Sequence, residues 1–325
     1  MHSWERFSLD VSDFVLDGVR KSNKDKAVLR GKFYDVIRSK QVLPEIYYTF
    51  YHNNKFNAGT HRAAINISKF YIPTGWIDLP ALENAVRNLV IFMDYLSDKD
   101  KGNKDSRKIT ISIIGFADLL LKLGFSYGSD NAIKTAEFLS WFIRLFSYMQ
   151  SSELSEKYGT FKGYTPNKFK NFIPILKSKK FGDIGLDIED LENTGVRNTL
   201  ELDVNLAQHG LASIAGVSPG IYPILSLVIS IMDWSWFEEV KENYISIDQI
   251  ITETSSSVPL ITNMAMKKIL YDILCGLYLV NNDIISRVVE DNSIENIKEI
   301  PDNIKEVFKT NIENRLINNM KSAWC

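Results

Sequence analysis

The chain has 325 residues, 45% hydrophobic and 24% charged, enough apolar material for the buried core of one or two domains. Its 38 Lys and Arg stand against 40 Asp and Glu. That near balance gives no electrostatic reason to expect nucleic acid or an anionic membrane as the main partner.

In chain order, the N-terminus, Met1 to Arg6, lacks the basic-then-apolar pattern of a signal peptide. Leu82, Val86, Leu89, Val90, Met93 and Leu96 fall on one face of a helix. The charged stretch Ser97 to Arg107 breaks that pattern and is expected to be exposed. Lys108 to Ile114 alternates and is β-branched, which predicts a strand. Gly115 opens a short helix that Gly124 is placed to end. A long helix is predicted from Ser129 or Asp130 to Tyr158, with Gly159 as its stop. Residues 163–195 are rich in Lys, Pro and Gly and read as a surface excursion rather than a domain boundary. Thr199 to Val204 predicts a strand, and a Gly-punctuated stretch runs from Gly210 to Gly220. The most apolar run, Ile221 to Trp236, is interrupted by Pro223, Asp233 and several serines and predicts buried helix or strand, not a membrane span. Val258 to Val280 predicts a helix, and the tail from Asn281 to Cys325 is Asn- and charge-rich with modest helical patterning. Strands interleaved with helices point to a helix-rich α/β architecture.

Histidines His2, His52, His61 and His209 are scattered without metal-ligand spacing, so no metal and no cofactor are expected. The cysteines Cys275 and Cys325 cannot staple a fold of this size, which points to a reducing, cytoplasmic compartment.

Arg107 to Ile133, RKITISIIGFADLLLKLGFSYGSDNAI, resembles the signature of ribonucleotide reductase large subunits. Three further blocks are similar to the family and stand in its order: Ala64 to Phe70, Ser152 to Phe161, and Arg197-Asn198 followed by Ile214 to Pro223. The resemblance covers most of the chain as one barrel-half domain, 1–325, corresponding to the later part of the subunit without its effector (ATP-cone) region. It implies about the second half of a ten-stranded α/β barrel. In that family a finger loop reading Asn-Leu-Cys-x-Glu carries a cysteine that becomes a thiyl radical, and a cysteine pair reduces the ribose.

The residues that would carry this chemistry differ here. Residues 51–64 are too short to hold the finger loop and contain no cysteine. The family's Cys-Asn-Leu-Gly-Ser aligns with Thr60, His61, Arg62, Ala63 and Ala64, and a threonine hydroxyl forms no disulfide. The family's phosphate loop, Pro-Thr-x-Thr-x-Ser, aligns with Ala207, Gln208, His209, Gly210, Leu211 and Ala212, so every hydroxyl is missing. The Glu that precedes Pro in the family is Tyr222. Backbone N–H groups from Gly210 to Gly216 are what remains for an anion. Cys275, in an apolar run, reads as a buried inert thiol, and a lone Cys325 reads as incidental. Asp118 reads as a structural residue at a helix start. Trp234, Trp236 and Phe237 read as core or interface packing, Lys177, Lys179 and Lys180 as a solvated loop, and Asp187, Glu189 and Asp190 as its polar end.

Three readings follow. The first is a reductase-like pseudoenzyme kept for binding or structure, its open barrel edge covered by self-association or by a protein partner. The second is one fragment of a split ribonucleoside-diphosphate reductase, acting in deoxyribonucleotide synthesis with a separately encoded partner. The third is a remnant that still binds nucleotide. Richness in Asn, Lys and Ile suggests an AT-rich, phage-like source, and then host cytoplasm.

Overall fold

The computed structural model describes residues 46–49, 60–99, 102–166, 194–204, 212, 215–231, 234–252, 263–310 and 314–324. In chain order these form β1 (Ile46–Thr49), β2 (Thr60–Asn66), a 3-10 turn (Ile67–Phe70), β3 (Tyr71–Ile72), β4 (Trp76–Ile77) and α1 (Leu79–Lys99). Then come β5 (Lys108–Ile114), α2 (Phe116–Leu123), α3 (Asp130–Tyr158), β6 (Thr199–Asp203), β7 (Val228–Ser230) and α4 (Trp234–Val240). The remainder is β8 (Tyr244–Ser246), α5 (Ile247–Thr252), β9 (Met264–Lys267), α6 (Lys268–Gly276), α7 (Asn282–Asp291), α8 (Asp302–Val307) and α9 (Asn314–Trp324). They pack as two compact units interleaved along the chain. Among the described residues, the first draws on those before Asn66, on Leu79–Ser112 and on Phe138–Asp203; the second takes the rest. No described helix is long and apolar enough to cross a membrane.

The sheet of the first unit has the strand order β1-β2-β5-β6 and is open among the described residues. β1 runs antiparallel to β2, and β5 runs parallel to β6. The register pairs Ile109 with Leu200 and Ile111 with Leu202, and on the alternate positions Thr110 with Glu201 and Ser112 with Asp203. Strand pleating therefore makes one face aliphatic and the other polar. Helix α1 buries the predicted stripe of Leu82, Val86, Leu89, Val90, Met93 and Leu96. Helix α3 begins where Ser129 Oγ accepts from Ala132 N at 3.3 Å and stops before Gly159, whose φ is 78°. From Leu139 to Tyr148 it is buried on nearly every side, as a core helix must be.

One buried carboxylate ties these elements together. Asp94 of α1 accepts from Arg107 Nε at 2.8 Å, Arg197 Nε at 2.9 Å and Asn198 Nδ2 at 2.7 Å. Ser151 of α3 donates to Asn198 Oδ1 at 3.0 Å and accepts from Asn198 N at 2.9 Å. Arg197 also donates to the carbonyls of Tyr158 and Gly159, satisfying the end of α3.

The stretch expected to be fully exposed, Ser97 to Arg107, is not. Ser97, Asn103 and Arg107 are buried. The Asn103 side chain closes this turn, donating to Ser97 Oγ at 2.9 Å and to the Lys108 carbonyl at 3.0 Å while accepting from Lys108 N at 2.6 Å.

The second unit holds the β3–β4 hairpin and a three-stranded antiparallel sheet of order β7-β9-β8. Its core gathers Leu227, Met266, Leu270, Leu274, Ile284 and Val288. The helix predicted over Val258 to Val280 is corrected. Met264–Lys267 is the central strand β9, paired on both sides, and the helix covers only Lys268–Gly276, before Tyr278 at φ 58°. An apolar run reads alike as strand or helix until its neighbours supply hydrogen bonds. Residues 258–262 lie outside the described ones.

The Asn-rich tail is helical for a local reason. Asn281 Oδ1 caps α7 by accepting from Ile284 N at 3.0 Å, and Asn292 Oδ1 accepts from Leu227 N and Val228 N at 2.9 and 3.0 Å. At the end of α9, Trp324 is buried edge-on against Phe116, with ring centroids 5.8 Å apart.

Asp94→Ala should destabilise the chain by about 3–5 kcal/mol in urea denaturation, because two guanidinium groups then lose their buried carboxylate and keep only the half-exposed Asp98. Glu83→Ala, which removes a half-exposed partner of Arg87, should change stability by less than about 1 kcal/mol.

Candidate functional site

Thr60, expected at the position of the family's redox cysteine, and His61, expected at the Asn that follows it, are the first two residues of β2. Their side chains lie outside the described residues. Two residues on, the Arg62 guanidinium meets Asp203 Oδ2, at the end of β6, at 3.2 Å. On the same polar face Thr110 Oγ1 donates to Glu201 Oε2 at 3.3 Å, and Lys108 Nζ lies 3.0 Å from it. Burial alone would raise the Glu201 pKa, but the Lys108 ammonium and the Thr110 hydroxyl, with Arg62 nearby, hold it below the ordinary value. This face offers fixed charges and hydroxyls. Such groups bind and orient polar ligands but transfer no electrons.

In the second unit, the first turn of α2 presents Asp118 to Lys267, the last residue of β9. Asp118 Oδ1 lies 2.6 Å from Lys267 Nζ, and Oδ2 accepts from Ser218 N at 2.6 Å. Both side chains are buried, and the ammonium lies 4.4 Å from the centroid of the Tyr244 ring. Burial opposes the charge on Asp118, yet the Lys267 ammonium and the Ser218 N–H keep its pKa below the ordinary carboxylate value. Lys267 is desolvated as well, but the Asp118 carboxylate keeps its pKa above the ordinary lysine value. Nearby, Lys122 donates to the Ser68 carbonyl at 2.9 Å, and burial lowers its pKa.

These contacts join two of the family-like blocks. Gly115 N donates to the Ser218 carbonyl at 2.7 Å, and Ala117 N donates to Ser218 Oγ at 3.2 Å. Gly115 has φ 76°, and a Cβ there would sit 2.5 Å from Asn66 Oδ1. Only glycine permits this approach. The reading of Asp118 as a structural residue at a helix start agrees with its place in this buried network. Its partner Lys267 was not singled out in the sequence; the Lys267-Lys268 pair interrupting the apolar run from Met264 to Leu270 was the available signal.

Of the positions aligned with the phosphate loop, Ala207 to Leu211 lie outside the described residues, and Ala212 is buried with its carbonyl accepting from Val217 N at 3.0 Å. At Gly216 the space a side chain would take is filled by Val240 and Tyr244. Tyr222 lies under the Lys321 ammonium, 5.4 Å from its ring centroid. Cys275 corrects the reading of a buried thiol: it is exposed. It follows buried Leu274 on α6 and so points about 100° away from the core. Cys325, the Lys177 to Lys180 stretch and the acids Asp187, Glu189 and Asp190 lie outside what is described, as does the side chain of Trp236 on α4. Phe237 is buried, with Trp234 packed edge-on against it and half exposed.

Lys267→Met leaves a carboxylate buried without its cation and should cost about 3–5 kcal/mol in chemical denaturation at neutral pH. The pH dependence tests the same pair. A depressed Asp118 pKa contributes stability that is present above its unfolded value near 3.9 and lost as pH falls through the folded value. A raised Lys267 pKa contributes stability present below its unfolded value near 10.4 and lost as pH rises through the folded one. The variant should lose the alkaline limb, and its destabilisation should shrink as pH falls, because burial without Lys267 raises the Asp118 pKa and protonation then removes the unmatched charge.

A family model described as the ribonucleotide reductase barrel domain matches residues 61–322. A vitamin B12-dependent ribonucleoside-diphosphate reductase of Thermoplasma acidophilum is 24% identical over 258 residues, covering 76% of this chain and 27% of that protein. The ribonucleoside-diphosphate reductase large chain of Encephalitozoon cuniculi is 23% identical over 274 residues, covering 79% of this chain and 32% of its own length. The solved class Id ribonucleotide reductase alpha subunit of Actinobacillus ureae shares the fold, with a TM-score of 0.51 at 14% identity over 96% of this chain and 56% of that one. The chain therefore spans a third or less of these two curated relatives. Its helix-rich α/β fold, an incomplete version of the family's barrel, and the match over residues 61–322 establish that this chain belongs to the ribonucleotide reductase barrel-domain family.

Proposed function

We propose that this chain is a ribonucleotide reductase large-subunit homologue that reduces no ribonucleotide by itself and serves as a non-catalytic binding or structural protein. The observation that carries this reading is Thr60 at the head of β2 in a chain with only two cysteines. Reduction of a ribose through a thiyl radical and a dithiol needs one sulfur for the radical and two more to supply the electron pair. Cys275 is exposed on α6, and Cys325 is a single further thiol. The polar face of the first unit supplies a salt bridge and hydroxyls instead, none of which exchanges electrons.

The relatives are named as a large chain and an alpha subunit, names that belong to multi-subunit proteins, and β1 and β6 stand at the ends of the described sheet. A strand edge presents unpaired backbone groups, so a second copy of the chain or a protein partner fits this reading.

The purified chain, given each nucleoside diphosphate with dithiothreitol or reduced thioredoxin, should yield no deoxyribonucleotide. Calorimetry should register no submillimolar nucleoside diphosphate binding, since the positions aligned with the phosphate loop carry no hydroxyl. Thr60→Cys should stay inactive, because one restored sulfur leaves the radical thiol and its redox partner missing. Deoxyribonucleotide formation by the unmodified chain would sink the proposal. Activity that emerges only on adding a separately encoded reductase fragment would establish the split-enzyme reading in its place.

A further inference from the structure

Helix α2 carries Asp118 and, one turn on, Lys122, at the spacing where an acid and a base ordinarily pair on a helix face. Here they do not pair. Asp118 Oδ1 lies 2.6 Å from Lys267 Nζ and Oδ2 accepts from Ser218 N at 2.6 Å, so both oxygens are taken. Lys122 reaches the 3-10 turn instead, where it donates to the Ser68 carbonyl at 2.9 Å, and it makes no ion pair among the described residues. Lys69, the neighbour of Ser68, is itself paired with Glu242. The Tyr244 hydroxyl, which also faces Lys267, is kept neutral by burial. The cluster therefore sets two ammonium groups against one carboxylate, and the unmatched charge sits on Lys122, which is partly buried.

We propose that Lys122 is an acylation site that takes a small acyl group from an activated carboxylic acid of the thioester or acyl-phosphate class. In this step the free amine adds to the acyl carbon and a C–N bond forms. The C–S or C–O bond breaks, its electron pair leaves on the thiolate or phosphate, and the amine proton passes to solvent. Burial favours the free amine, Asp118 opposes it and the Lys267 ammonium supports it, and the balance holds the Lys122 pKa below the ordinary lysine value. A desolvated lysine beside a second cation is an activated nucleophile. The product also suits its surroundings better than the ammonium does. An amide nitrogen keeps one hydrogen, and Ser68 offers it one carbonyl. The amide is neutral, so one ammonium then faces one carboxylate, and Lys267 is relieved of a like charge. An aldehyde would leave a cationic imine, and carbon dioxide an anionic carbamate beside Asp118, so neither removes the imbalance. Lys122 is not among the positions aligned with the family's redox cysteine or phosphate loop, and the proposal goes beyond the reading of lost catalysis.

The test treats the full chain at neutral pH with limiting acetyl phosphate in one arm and the thioester S-acetyl-N-acetylcysteamine in the other. Acetylation is followed site by site by mass spectrometry. Lys122 should be labelled at least about threefold faster than the exposed Lys104 and Lys134, because the free-amine fraction at neutral pH rises exponentially as the pKa falls. The arm in which it leads identifies the donor. Acetylation should also raise the urea midpoint at neutral pH. Lys122→Arg, which keeps the charge and takes no acyl group, should show no such rise when treated alike. Labelling of Lys122 no faster than that of Lys104 and Lys134 in both arms, a midpoint that fails to rise, or an equal rise in Lys122→Arg would each overturn the proposal.

Discussion

A carboxylate taken out of water has to be met on both oxygens, and each of the two units is organised around one aspartate that meets this condition. In the first, Asp94 collects Arg107, Arg197 and Asn198, which head β5 and β6 and close α3. In the second, Asp118 collects Lys267 and the Ser218 amide, fixing the end of β9 and the loop after Gly216 on the start of α2. The hydrophobic core supplies most of the driving force for folding but is non-directional. These two carboxylates select one arrangement of strand ends, since any other leaves a buried charge unmatched.

The family-like sequence blocks supply most of the partners in these clamps, with Asp94 and Lys267 coming from outside them. Arg107 opens the signature strand, Asp118 lies in its Gly-Phe-Ala-Asp turn, and Arg197-Asn198 and Ser218 belong to the downstream block. These blocks build a scaffold of buried ion pairs, a glycine at a left-handed position and the parallel pairing of β5 with β6. In the proposed reading Thr60 stands where the family carries a redox cysteine; it begins strand β2, and the nearby described polar chemistry is the Arg62–Asp203 pair. Groups of this kind hold a shape. They cannot cycle between oxidation states.

Helices with a clear stripe were legible before any coordinates: α1 by its six buried apolar residues, α2 by its flanking glycines, α3 by Ser129 and Gly159, and β5 to the residue. The misreadings share a cause. Met264 to Lys267 looked helical because its strand character depends on partners some twenty and more residues away. The Ser97 to Arg107 stretch looked exposed throughout because the burial of Arg107 rests on Asp94 and that of Ser97 and Asn103 on the hydrogen-bonded Asn103 turn, neither of which periodicity reveals. Cys275 looked buried because its run is apolar, while burial is decided one helical position at a time.

The sequence by itself determined the family, the element types of the strongly periodic segments and the shortage of sulfur, since these rest on residue identity and short-range spacing. Only the tertiary structure decided that Lys267 neutralises Asp118 and leaves Lys122 to a carbonyl, and that Asn292 staples an Asn-rich tail onto the start of β7. Each of those depends on groups brought together across tens to hundreds of residues, and the free energy of a buried charge is fixed by what finally surrounds it.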